Sequence, residues 1–237
     1  TMKLSDIKVA IDHVIEDTPL LYDLSVTTPP PDLIRQRAQD HYNTSMPDSH
    51  GRDFSISDKC KSVIVWNVFS RVAYDYHFKN VFLPSIILYL NLRWGNDGYS
   101  FSYDDYVLNR KQFAIRSGAA TLAKTSLAFH EKFGMNYKIE LILTNAEFDE
   151  TTVVEDEPHY ENCIGCLAPC VTNCPMNCKM DFDLVDWEEC ANFVDTPAAF
   201  KDLDGICRIC QTSCPYSEQL KSDIIELNSR YGERLNA

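Results

Sequence analysis

The chain has 237 residues, 45% hydrophobic and 24% charged, which fits one large globular domain or a medium domain plus a small one. Its formal net charge is −13. That field repels phosphate backbones, and no run of Lys and Arg supplies a basic patch, so no nucleic-acid partner is expected. The most apolar stretches, Ser62–Tyr74 and Asn80–Trp94, are broken by polar residues and fall short of the roughly 20 apolar residues of a spanning helix. The N-terminus lacks a basic region leading into an apolar core, so neither secretion nor membrane contact is expected. In a reducing cytoplasm, ten cysteines read as metal ligands rather than disulfides.

In chain order, residues 2–26 predict a helix followed by a short apolar segment. Thr27–Asp32 contains three consecutive prolines and reads as a stiff connector. Asp32–Tyr42 predicts a helix with Asp32 as its N-cap, and Asn43–Asp58, rich in Ser, Asp, Pro and Gly, predicts loop. Ser62–Phe69 (SVIVWNVF) is β-branched and aromatic and predicts a buried strand. Asn80–Leu92 predicts a helix with Pro84 in its first turn. Asn96–Tyr103 predicts loop. Tyr106–Phe133 predicts mostly helix, with a break at Gly118 and a C-terminal cap at Gly134. Tyr137–Leu143 predicts a strand. The acidic stretch Glu147–Pro158 reads as a linker between domains spanning 1–149 and 150–237. Ser217–Arg230 predicts an amphipathic helix with Leu220, Ile224 and Leu227 on one face.

Nine of the ten cysteines fall in the C-terminal third. Cys163, Cys166, Cys170 and Cys174 form C-x2-C-x3-C-x3-C-P. Cys207, Cys210 and Cys214 form C-x2-C-x3-C-P, preceded by an isolated Cys190. A cubane cluster needs four converging thiolates. A C-x2-C loop wraps one corner and leaves backbone N–H groups free to face sulfur. A Cys-Pro pair then turns the chain away. In two-cluster ferredoxins the cysteine before proline ligates the other cluster. That crossover assigns Cys163, Cys166, Cys170 and Cys214 to one 4Fe–4S cluster, and Cys174, Cys190, Cys207 and Cys210 to a second. Cys60 and Cys178 are left over. Cys60, beside a strand, reads as a buried small hydrophobe. Cys178 replaces Cys170 or Cys174 if the first block is threaded differently. The competing reading is a four-cysteine zinc site of Cys163, Cys166, Cys207 and Cys210, which leaves five nearby cysteines and both Cys-Pro pairs unexplained. No histidine forms a spaced H-E-x-x-H pair, and no Gly-rich phosphate loop is present. Tyr103, Tyr106, Trp66 and Trp94 could line a planar cofactor pocket or belong to the core. His159 could tune a cluster or lie on the surface.

The two Cys-Pro halves around Cys190 resemble the iron–sulfur domain of epoxyqueuosine reductases and reductive dehalogenases. Phe113–Gly134 (FAIRSGAATLAKTSLAFHEKFG) resembles the family segment in which an Ala-x-x-Ala-Gly stretch leads to Gly-Lys and then apolar residues. Lys138–Phe148 (KIELILTNAEF) resembles the following strand, including its Thr, and Ser62–Phe69 matches the early strand. The likeness spans roughly residues 50–216. It implies an α+β fold: a nitroreductase-like N-terminal domain holding a cobalamin over the substrate, then a ferredoxin-like domain with two 4Fe–4S clusters. It implies a cytoplasmic oxidoreductase, a corrinoid-dependent reductase of a small molecule or of the corrinoid itself. The alternative is a dicluster electron-transfer protein without corrinoid. An electron donor such as a flavodoxin or ferredoxin is implied. So are corrinoid contacts from Ser117, Gly118, Lys124, Thr125 and Thr144. Asp104, fourteen residues before Gly118, falls where the family keeps a general-acid aspartate; a loop residue or helix N-cap is the competing reading. The chain departs from the family in C-x3-C at Cys170 where C-x2-C is usual, in AATLAK (Ala119–Lys124) lacking the expected glycines, and in Arg110–Lys111 replacing Glu-Arg. The tRNA-binding helical repeats do not follow the last cysteine, which points away from a tRNA substrate.

Overall fold

The computed structural model describes residues 1–15, 20–29, 59–69, 82–103, 110–135, 137–155, 158–177, 179–181, 184–185, 189–190, 193 and 209–216. The expected helices at Asp32–Tyr42 and Ser217–Arg230 and the expected loop at Asn43–Asp58 lie outside these residues. The fold is α+β, and the chain divides into two units. Among the described residues, the first unit holds 1–119 and 137–155, and the second holds 120–135 and those from 158 onward.

The first unit is built on an antiparallel four-stranded sheet in the order β1 (Leu21–Thr27), β2 (Ser62–Phe69), β6 (Lys138–Thr144), β3 (Phe101–Tyr103). Strand β2 is buried from Ser62 to Val68. Its largely apolar, β-branched run, interrupted by Asn67, suits a central strand covered on both faces. Ile64, Trp66 and Val68 share one face by strand periodicity. They pack with helices α1 (Leu4–Val14) and α2 (Leu83–Trp94) in one core. In α1, Ile7, Ala10 and Ile11 bury one stripe, and Lys8 pairs with Asp12 at 2.7 Å one turn on. Helix α2 starts with Pro84 in its first turn, as expected, and buries Leu83, Ile86, Ile87 and Leu90.

Strand β3 lies where loop was expected. The cause is Asn91 on α2. Its Nδ2 donates to the Phe101 carbonyl at 2.8 Å, and its Oδ1 accepts the Phe101 N–H at 2.9 Å. This side chain completes both backbone bonds of Phe101, whose ring is buried against Trp94. A three-residue strand is thereby fixed on the edge of β6.

Helix α3 (Arg110–Arg116) stops at Gly118, where φ is +76°. The Gly118 N–H reaches Ile115 O at 2.9 Å and the Ala119 N–H reaches Ala114 O at 3.0 Å, a Schellman ending. The expected second half of this helix is instead a hairpin of β4 (Ala120–Leu122) and β5 (Ala128–His130), which belongs to the second unit. Its turn is closed by Ala123 N–H to Leu127 O and Ser126 N–H to Ala123 O, both 2.9 Å. Gly134 is likewise no helix cap. It exchanges both backbone bonds with His130 at 2.8 Å.

The acidic stretch read as a linker is laced into the first unit. Met2 N–H bonds Glu147 O (2.8 Å), Thr152 N–H bonds Val26 O (3.0 Å) and Val154 N–H bonds Arg116 O (2.8 Å), while Phe148 is buried in the core. In the second unit the chain returns beside β4. Leu122 N–H bonds Pro158 O at 2.8 Å and Tyr160 N–H bonds Leu122 O at 2.7 Å. The remaining elements there are short: helical turns α4 (Pro169–Thr172) and α5 (Ile209–Thr212), and a strand pair β7 (Lys179–Asp181) and β8 (Leu184–Val185).

Candidate metal centre

The first cysteine block folds as a chain of tight turns. Cys163 closes the 3-10 turn Glu161–Cys163, its N–H bonding Tyr160 O at 2.9 Å, and its side chain is buried. Two left-handed residues, Gly165 (φ +79°) and Ala168 (φ +53°), bend the backbone around Cys166. This bend aims the Ala168 N–H at Cys166 Sγ, 3.4 Å away. Cys170 is carried by α4 and is buried. Cys174 follows one turn later, its N–H on Val171 O at 3.2 Å.

The second block meets the first through α4 and α5, which pack together. Asn173 Nδ2 donates to Ser213 Oγ at 3.3 Å across them. Cys210 lies on α5, half-buried, and Cys214 just beyond it is buried. Cys163 and Cys214 share an apolar cluster with Ala123, Phe129 and Met135, against which Leu127, Tyr160 and Tyr216 pack.

The thiols are coupled. Burial, then the fields of Cys214, Cys163, Cys166 and Cys210, push the Cys170 thiol up to about 11. Cys163 is also raised, first by burial and then by Cys214 and Cys166, against a lowering hydrogen bond from the Lys124 backbone N–H. Five cysteines from both blocks therefore occupy one electrostatic neighbourhood: the four expected for the first cluster, and Cys210. None of the described cysteines forms a disulfide. Among the described residues no three His, Cys, Asp or Glu side chains gather closely around a single ion position. Buried Cys163, Cys170 and Cys214, backbone N–H groups directed at Cys163 and Cys166, and an apolar wall nonetheless fit a thiolate-held cluster in kind.

Cys190 is half-buried in the second unit, and Cys178 and Cys207 lie outside the described residues. Cys60 belongs to the first unit. Its thiol donates to Ser62 O at 3.4 Å and is raised by burial.

The residues expected around a corrinoid divide between the units: Ser117, Gly118 and Thr144 in the first, Lys124 and Thr125 in the second. Ser117 Oγ accepts from Ser25 Oγ at 2.7 Å and donates to Ala114 O at 3.0 Å. Thr125 Oγ1 donates to Met135 Sδ at 3.1 Å and accepts the Leu127 N–H at 3.3 Å. Both hydroxyls are satisfied within the protein and do not fit a corrinoid as free donors. Thr144 Oγ1 accepts the Ala146 N–H at 3.1 Å. A Cβ on Gly118 would meet Thr152 Cγ2 at 3.4 Å. Arg110, at the departure from the family's Glu-Arg, approaches buried Glu140 at 3.5 Å, with Lys138 at 3.0 Å from the same carboxylate. Asp104 and Tyr106 lie outside the described residues. Trp66 is fully buried core, and Tyr103 and His159 are exposed.

Two features escaped the sequence. Asn67 on β2 is fully buried, and neither amide atom has a hydrogen-bond partner among the described residues; Thr27 Oγ1 is alike. An orphaned buried amide marks a place for a partner. Asn67 sits inside an apolar run, and only strand periodicity hinted at its burial. The second is an aromatic wall. Phe129 stacks on Tyr160 at 3.7 Å and 15°, and Tyr216 meets Tyr160 edge-on at 5.9 Å and 81°. Its signal was the nearness of Tyr160 and Tyr216 to Cys163 and Cys214 in sequence.

No model of a protein family matches the chain, and no curated protein matches it. Solved structures do. An epoxyqueuosine reductase from Streptococcus thermophilus is similar, with TM-score 0.61, 16% identity, 90% of this chain and 66% of that one covered. One from Bacillus subtilis gives TM-score 0.62, 16% identity and the same coverage. A reductive dehalogenase whose structure concerns B12-dependent dehalogenation gives TM-score 0.54 and 12% identity, covering 89% of this chain and 33% of that one. The α+β fold is thus similar to that of the proteins the sequence resembles. The chain spans 66% of the length of these epoxyqueuosine reductases.

Proposed function

We propose that this protein is an iron–sulfur reductase, pairing a nitroreductase-like first unit with a ferredoxin-like second unit that carries two 4Fe–4S clusters. The observation that carries this reading is the packing of α4 on α5, which brings Cys170 and Cys210 together, with buried Cys163 and Cys214 in one cluster beside them. Cys163, Cys166, Cys170 and Cys214 hold one cluster; Cys174, Cys190, Cys207 and Cys210 hold the other. When bound, such clusters supply one-electron transfer at potentials set by burial and hydrogen bonds to sulfur. The protein's own part would be to shed thiol protons on loading and to hold the charge on Cys163 with the Lys124 N–H and that on Cys166 with the Ala168 N–H. The expected setting is cytoplasmic, with a flavodoxin or ferredoxin as donor and a small molecule as acceptor.

Fold kinship to a B12-dependent dehalogenase extends the proposal to a corrinoid, with Asp104 as general acid. Since Ser117 and Thr125 are committed internally, Asn67 is the better candidate for a polar contact in the first unit. The same commitment favours a second reading, a dicluster carrier without corrinoid. A related epoxyqueuosine reductase has been seen with a tRNA stem loop; the net charge of −13 supports a small-molecule acceptor here instead.

Anaerobically loaded protein should contain about eight iron and about eight sulfide; about one zinc and no sulfide would overturn the cluster reading. Titration with cob(II)alamin should alter its visible and EPR spectra. An unchanged spectrum at saturating protein selects the carrier. Asp104→Asn should impair turnover while both cofactors stay bound, and full activity removes Asp104 from the chemistry. A tRNA stem loop should not shift in a mobility assay at physiological salt.

A further inference from the structure

The second and third cysteines of each block are separated by the same three residues, yet the backbone crosses the interval differently. In the second block Cys210 lies on α5 and the Ser213 N–H bonds Ile209 O at 2.9 Å, so a helical turn carries the chain toward Cys214. In the first block Pro169 rules this out, since proline has no N–H and disfavours helical geometry at the residue before it. Ala168 turns left-handed instead, at φ +53°, a conformation costly for a residue with a side chain. Its two backbone groups then serve both neighbouring cysteines. The N–H points back at Cys166 Sγ, 3.4 Å away. The carbonyl accepts the Val171 N–H at 2.9 Å and the Thr172 N–H at 3.1 Å, which starts α4 and so places Cys170. Leu167, between Cys166 and Ala168, is 93% exposed and anchors the bend through no burial of its own.

We propose that Ala168 is a positioning residue whose left-handed backbone holds its N–H on Cys166 and its carbonyl under the turn bearing Cys170, and thereby raises the potential of the Cys163–Cys166–Cys170–Cys214 cluster. The inference rests on the cluster reading above. Reduction adds one electron to the cluster and forms no new bond, so the sulfur ligands gain negative charge. An N–H already aimed at one of them stabilises that charge without reorganisation. Hydrogen bonds to sulfur are among the levers that set a cluster's potential.

The test is an EPR-monitored redox titration of anaerobically loaded protein, with iron and sulfide measured alongside. Replacing Ala168 by lactic acid exchanges its N–H for an ester oxygen and keeps the methyl group. This variant should retain full iron while one cluster becomes about tenfold harder to reduce, a fall of about 59 mV for one electron, and the other stays unchanged. Ala168→Gly keeps the N–H and adopts the same geometry freely, so its midpoints should match wild type. Protein made with isotopically labelled alanine nitrogen should show a nitrogen coupling in the pulsed EPR of that reduced cluster, and Ala168→Gly should lose it. Wild-type midpoints in the ester variant, with iron retained, overturn the inference while leaving the cluster reading intact. Should the ester variant fail to hold iron, the labelled nitrogen decides: a coupling that persists in Ala168→Gly, or is missing from wild type, overturns the inference. Wild-type protein that takes up no iron overturns both.

Discussion

At the scale of single residues, burial sets the behaviour of Cys170 and Asn67. The thiol of Cys170 is raised from the ordinary 9.0 to about 11, chiefly by burial. A folded value above the unfolded one means that the metal-free fold keeps this contribution below about pH 9 and loses it as pH rises through about 11. Metal-free protein should therefore melt lower at pH 11 than at pH 8, and Cys170→Ala should show a smaller drop. An identical drop in both would mean that the thiol is not buried. In the loaded state, Cys170→Ser should lose one cluster and about half the iron, whereas Cys60→Ser should lose none. Asn67 is the counterpart in the first unit. Its amide has no partner among the described residues, and a buried amide without one costs about 1–3 kcal/mol. Asn67→Leu, similar in size, should raise the melting temperature of the unliganded protein while weakening its response to cob(II)alamin. A lower melting temperature would show that the amide is already satisfied.

At the scale of elements, legibility followed the strength of local pattern. Strand β2 and helix α2 could be read because each carries a continuous apolar signal with matching propensity. The Schellman stop at Gly118 was also legible, since a left-handed residue there favours glycine. The hairpin after it was not. Ala120–His130 mixes small, β-branched and charged residues with no period longer than three positions, and Ala, Leu and Lys bias it toward helix. What decides it is the turn at Ser126, a serine at φ +59°, which no propensity scale marks. Strand β3 depended on the Asn91 side chain ten residues away, a tertiary contact outside any window. For the cysteines, spacing marked the two blocks that α4 and α5 bring together. The aromatic wall was hidden because stacking across three separate segments leaves no period. The Ser126 turn is itself testable. Left-handed geometry costs a non-glycine residue about 1–2 kcal/mol, and its buried Oγ has no partner among the described residues. Glycine forfeits about 0.5–1 kcal/mol of backbone entropy in return. Ser126→Gly should thus stabilise the fold by about 1 kcal/mol in urea denaturation; a loss of stability would mean that the hydroxyl contributes more than the strain removes.

At the scale of the whole molecule, the two units rest on different foundations. The first has a core of aliphatic and aromatic side chains from α1, α2 and the sheet, containing no cysteine. One buried cluster of the second, of five residues, takes in Cys163 and Cys214. Its helical turns α4 and α5 are four residues each, too short to stand without tertiary support. On the proposed cluster reading, metal ligation would be folding energy for the second unit and not for the first, since a group that binds only the folded state stabilises it. Removing iron with ferricyanide and a chelator should leave the amides of β2 and β6 protected from hydrogen exchange. Protection should be lost at β4, β5 and the turns around Cys163 and Cys170. The midpoint of chemical unfolding for the first unit should move little, because none of its core contacts involves a ligand. Reloading with iron and sulfide should restore protection in the second unit alone. Were the sheet of the first unit to lose protection together with the cysteine turns, the units would be one cooperative body, and the cluster would stabilise the entire chain.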